Sequence, residues 1–235
     1  MGTAVRRSRR QARDHRAHWD RPQRGSLTYV ALGDSAGVGV GVEDPRLGYV
    51  GLLAERLATS TGESVRTVNL SVSGARARDV LETQIPRLAA LDVPDVLTCV
   101  IGGNDVAWAT HFSPQAFART MTGIASALPA GSVMGLVPHF VHPPYSTRAQ
   151  EANRAITAAA RANGHLAADL HTATRSLPLK EYLRTFSGDR FHPGARGYAL
   201  WADVLWESIA STDAIAAWAA LRQRSRAHHG GAHRP

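Results

Sequence analysis

Ser35 follows an apolar run and sits among glycines, in Tyr29–Gly41 "YVALGDSAGVGVG", and residues so placed serve as turns, phosphate loops or nucleophiles. The phosphate reading fails on spacing: G-x-G-x-x-G requires glycine where Val42 stands, and no GK[ST] follows for a Walker loop. Gly33–Gly37 does fit G-x-S-x-G, the nucleophile-elbow pattern. In the fold that carries that elbow, however, several strands precede the serine, whereas Ser35 follows the first predicted strand. A serine hydroxyl also needs a base to take its proton and a third group to orient the base. Among the six histidines of segment 26–212, His192 stands out, because Asp189 lies three residues earlier in "SGDRFHPG", a loop bounded by Gly188 and Pro193. In such a turn the carboxylate can reach Nδ1 and leave Nε2 open. The competing use of Asp189 is as a cap for the helix that follows. Two donors complete the set, the Gly74 N–H and the Asn104 side-chain amide, each of which also suits an ordinary turn.

The elements that must position these groups alternate along the chain. Strands are expected at 28–33, 65–70, 96–101, 132–138 and 165–170, and helices at 48–60, 75–90, 113–128, 147–163 and 195–211. That alternation predicts parallel βαβ units with helices on both faces of the sheet, a doubly wound sandwich. Ligands of open parallel sheets bind at the carboxyl ends of the strands. Ser35, Gly74 and Asn104 follow the first three expected strands, and the Asp189–His192 loop precedes the last helix.

Composition narrows the alternatives. With 44% hydrophobic residues the chain can fill one core. Its net charge of +8 is concentrated at the ends: residues 1–25 hold eight arginines against Asp14 and Asp20, residues 213–235 hold four against Asp213, and the middle is nearly neutral. Both ends are therefore expected to be disordered basic tails, 1–25 and 213–235, around a folded 26–212. Their rival use, in a different function class, is as an anionic-surface or nucleic-acid binding module, with the core as scaffold. "RRSRR" (Arg6–Arg10) resembles the start of a secretory signal, but no apolar stretch follows it. No run reaches the 18 apolar residues that span a bilayer, and the default location is cytoplasmic. One cysteine, Cys99, excludes an internal disulfide and reads as a buried small hydrophobe. His139 and His142 have a spacing that can suit a metal, but no third ligand is near, so they are read as pocket lining or surface. Trp108 is read as pocket lining or packing, and Asp34 as a brace for the Ser35 loop.

Taken together, Ser35 in "GDS", Gly74 in "NLSVSG", Asn104 in "GGND" and Asp189 with His192 in "DRFHP" resemble the SGNH (GDSL) hydrolase superfamily over about residues 28–205. "GARGYALWA" (Gly194–Ala202) is also similar to the helix that follows its histidine, while Ala36 stands where GDSL has leucine. The resemblance implies a flavodoxin-like three-layer α/β/α sandwich with a five-stranded parallel sheet. It implies a serine hydrolase with Ser35 as nucleophile, His192 as general base and acid, and Asp189 orienting it. The Ser35 N–H, Gly74 and Asn104 would form the oxyanion hole, with no metal or organic cofactor. The expected substrate is a small-molecule ester, with short acyl chains favoured because no lid insertion is evident. Lysophospholipase or thioesterase activity is the alternative within the superfamily, and oligomeric state is left open.

Overall fold

The computed structural model describes residues 2–212. In chain order its elements are α1 (Gly2–Trp19), β1 (Leu27–Gly33), the short α2 (Ser35–Val38), a 3₁₀ turn (Pro45–Leu47), α3 (Tyr49–Thr61) and β2 (Val65–Asn69). There follow α4 (Ala77–Asp79), a π turn (Val80–Gln84), α5 (Ile85–Ala89), β3 (Val96–Val100), α6 (Gly103–Trp108) and α7 (Pro114–Ala127). The rest comprises β4 (Val133–Gly135), α8 (Tyr145–Ala162), β5 (Leu166–Ala168), α9 (Leu170–Arg175), α10 (Leu179–Arg184) and α11 (Ala195–Ala210). The five strands pair in parallel in the order β2-β1-β3-β4-β5. This is the expected sandwich.

Strand side chains alternate between faces, so a sheet covered on both sides must be apolar at successive positions. On β1, Val30 and Leu32 join Leu97, Cys99, Met121, Ile124 and Ile156 in one core. Tyr29 and Ala31 join Tyr49, Leu53, Leu57, Tyr198, Trp201 and Leu205 in the other. Helices α7 and α8 therefore cover one face, and α3 and α11 the other.

Local chemistry sets several boundaries. Ser113 accepts the Ala116 N–H, with Pro114 beginning α7, a favourable helix start. The helix expected over 75–90 widens into its π turn just ahead of Pro86, whose ring removes a backbone donor. The fourth strand is shorter than expected because Val137 leaves the sheet: both its N–H and its carbonyl bond the Asn153 side-chain amide.

One expectation is overturned. Residues 2–19, read from their charge as tail, form helix α1 with a buried face of Gln11, His15 and Trp19. These residues and Ser8 recur at helical spacing, but each is held by a polar contact and only Trp19 adds an apolar ring, so apolar periodicity does not reveal them. The expected tail 213–235 lies outside the described residues.

Candidate active site

The end of β1 is fixed before Ser35 is reached. The buried Gln84 side chain accepts the Gly33 N–H at 2.9 Å and donates to the Gly33 carbonyl at 2.7 Å. Asp34 then caps α2 through the Ala36 N–H at 2.9 Å, which places Ser35 on the first turn of that helix. Asn69 joins this turn to the loop after β2, donating to the Gly37 carbonyl at 2.7 Å and accepting the Ser71 N–H at 3.0 Å.

The histidine arrives on a hairpin between α10 and α11. The Ser187 N–H donates to the His192 carbonyl (2.8 Å) and the Gly194 N–H to the Thr185 carbonyl (2.7 Å), closing its base. Arg190, at its tip, has φ +60°, a left-handed conformation costly for a side chain of that size. Asp189 does not cap α11, whose N-cap is Gly194 without a side-chain bond. Its Oδ1 instead accepts from Ser187 Oγ (2.8 Å), Phe191 N (3.0 Å) and His192 N (2.9 Å), within its own hairpin.

Its Oδ2 lies 2.6 Å from His192 Nδ1, and His192 Nε2 lies 2.9 Å from Ser35 Oγ. A carboxylate only accepts, so Nδ1 of the neutral imidazole carries the hydrogen and Nε2 is left to accept from the serine hydroxyl. Burial works to raise the Asp189 carboxyl, but hydrogen bonds from the His192 ring, the Phe191 N–H and Ser8 outweigh it and hold the group well below the usual carboxylate range. Ser35 itself is buried, so water reaches the hydroxyl sparingly.

The glycine loop after α2 is the seat of this hairpin. A Cβ on Gly41 would lie 2.1 Å from the Pro193 carbonyl oxygen, and its φ of +111° is one that glycine tolerates. Gly74 also has positive φ, +85°, in a loop whose neighbouring space is open. The buried Asn104 donates to the Ala75 carbonyl (2.9 Å), beside Gly74, and to Asp34 Oδ2 (3.3 Å). The three loops carrying Ser35, Gly74 and Asn104 thus meet. Burial pushes the Asp34 carboxyl up to about 6, against the Ala36 N–H and the charge of His192.

A cavity of about 910 Å³ opens from Ser35 and His192 toward the loop after β4, walled by Leu136, Phe140, Val141, Tyr182, Leu183 and Phe186. His139 and His142 line it; the His139 ring packs edge-on to His171 and Tyr182, and no cluster of three metal-ligand residues occurs among the described residues. Trp108 does not reach the cavity wall. It is 61% exposed and packs on Phe191, which in turn packs on His192. Cys99 is buried in β3, and that burial pushes its thiol up to about 12. Gln84 and Ser8, whose hydroxyl donates to Asp189 Oδ2 at 2.7 Å, were not singled out from sequence; neither lies in a motif that chemistry alone selects.

Known proteins resemble the chain in sequence and in fold. A GDSL-like esterase of Mycobacterium tuberculosis is 27% identical over 209 residues, 84% of this chain; the chain spans 65% of that relative's length. The lipase/acylhydrolase of Enterococcus faecalis superposes with a TM-score of 0.63 at 20% identity, over 78% of this chain and 95% of that one. A variant of the acetyl xylan esterase of Geobacillus stearothermophilus does so at 0.64 and 20%, over 78% and 94%. No described helix is long and apolar enough to cross a membrane. The GDSL-like lipase/acylhydrolase model matches residues 31–200, which hold every residue of the Ser35–His192–Asp189 arrangement, and the chain belongs to that family.

Proposed function

We propose that the protein is a serine esterase working through an acyl-enzyme. Ser35 attacks the ester carbonyl as His192 Nε2 takes its proton. The imidazolium, steadied by Asp189, returns that proton to the leaving alcohol, and water releases the acyl group by the reverse path. The Ser35 and Gly74 N–H groups and the Asn104 amide bind the developing oxyanion, with Asn104 turning from its long bond to Asp34 as charge appears on the substrate. The single observation that carries this reading is the unbroken series of contacts Asp189–His192–Ser35, 2.6 and 2.9 Å, opening on a cavity.

The cavity also bears on the acyl group. Loop length favours small esters, but about 910 Å³ is near the top of the roughly 300–1,000 Å³ typical of small-molecule sites, and its walls are largely aliphatic and aromatic. We take the walls as the stronger argument and assign a medium-length acyl chain. The test is a series of p-nitrophenyl esters of increasing acyl length, run on wild type and Ser35→Ala. The wild-type rate should rise to about octanoate before falling, and the variant should lose turnover and fluorophosphonate labelling. Turnover that survives in Ser35→Ala would refute the nucleophile; a steady decline from acetate would refute the acyl assignment alone.

A further inference from the structure

Asp189 is served on one side by its own hairpin and on the other by a distant part of the chain. Oδ1 is filled by Ser187 and two backbone N–H groups of the hairpin, and Oδ2 faces His192 Nδ1. Among the described residues, the one hydrogen bond that reaches this carboxylate from outside the 187–192 segment comes from Ser8 Oγ on α1, at 2.7 Å to Oδ2. Ser8 lies before residue 31, where the match to the family begins.

Helix α1 is itself held against the loop that follows Ser35. Gln11 donates to the Val42 carbonyl (2.8 Å) and accepts the Gly41 N–H (3.2 Å), and Trp19 Nε1 donates to the Val38 carbonyl (3.0 Å). Arg16 reaches the carbonyls of Asn69 (2.8 Å) and Ser71 (3.1 Å) at the end of β2. The helix therefore spans from the Ser35 loop to the Asp189 hairpin, and its seating does not depend on Ser8. The Ser8 hydroxyl is free to do one thing, to set the angle at which Oδ2 meets the imidazole.

On the reading of Ser35, His192 and Asp189 given above, we propose that Ser8 is a positioning residue of the reaction, a fourth group that fixes the carboxylate which fixes the histidine. A charge-assisted hydrogen bond of this kind is among the stronger side-chain contacts, and an alignment error passed to a general base is felt in the rate.

The test compares wild type with Ser8→Ala, Ser8→Thr and Ser8→Asp in the full chain, with active sites counted by fluorophosphonate titration. Ser8→Ala should lower kcat per titrated site about tenfold, with KM changed less than twofold and the titratable fraction intact. Ser8→Thr, which keeps the hydroxyl, should return within about twofold of wild type. Ser8→Asp, which sets a second carboxylate against Asp189, should lose about a hundredfold or more. A Ser8→Ala kcat equal to wild type overturns the proposal, as does a loss matched by the loss of titratable sites, since that is mere unfolding. A wild type that neither hydrolyses esters nor takes the label overturns the Ser35 reading, and this inference with it.

Discussion

Gly41→Ala tests whether the hairpin's seat sets the reaction geometry. The added methyl would lie 2.1 Å from the Pro193 carbonyl oxygen and 3.2 Å from His192 Cβ. Non-bonded contacts settle near 3.5 Å, so the backbone next to His192 must retreat by about 1.4 Å. The Ser35–His192 contact, 2.9 Å in the native chain, then opens beyond hydrogen-bond range. Misplacement of about 1 Å costs on the order of 10² in rate, and that is the expected fall in kcat/KM. The left-handed φ adds about 1–2 kcal/mol of destabilisation, which for a chain of this size lowers Tm by roughly 2–8 °C. The assay is hydrolysis of a p-nitrophenyl ester at 25 °C, with thermal unfolding followed by circular dichroism on the same samples. A folded variant within threefold of wild-type activity would refute the claim that the hairpin's height over Gly41 governs proton transfer.

Other outcomes follow from the same geometry. Asp189→Asn keeps the shape but replaces an acceptor-only group by an amide that can hold the wrong imidazole tautomer; kcat should fall about 10³–10⁴-fold with little change in KM, and a loss under tenfold would count against the assigned role. Asp34 titrates near 3.8 ordinarily and about 6 when folded, so between those values the folded chain keeps a proton that the unfolded chain has released. Its contribution to stability is complete below about pH 3.8 and is lost as pH rises through about 6. At about 1.36 kcal/mol per pH unit, the span is worth about 3 kcal/mol. Asp34→Asn should flatten that decline in urea denaturation between pH 4 and 7, and equal slopes in the two proteins would show that another group is responsible.

Much of the sheet was legible because burial on both faces leaves the strands as apolar runs, and the helices between them carry one apolar stripe each. The five expected strands are the five observed, with the fourth and fifth shortened where Asn153 takes the Val137 backbone and Asp169 caps α9. Ser35, Asn104 and His192 were legible because nucleophile, donor and base chemistry needs particular side chains, and strand ends are where a parallel sheet presents them. Gln84 was not, since its partner is backbone and backbone leaves no letter in the sequence. Helix α1 was hidden for a related reason: eight arginines dominate residues 1–25, while the face that docks is made of polar groups aimed at carbonyls. The cavity was equally hidden, being walled by α10 and the loop after β4, elements that apolar periodicity did not resolve.

The separation of Ser35 from His192 along the chain has a consequence for synthesis. The ribosome makes the hydroxyl of Ser35 early and the imidazole of His192 some 157 residues later, so on the proposed mechanism the nascent chain has, through most of translation, a nucleophile without its base. On that mechanism such a chain cannot cleave esters while it is being made, and a product cut short before the final hairpin lacks both the base and helix α11, which covers one face of the sheet.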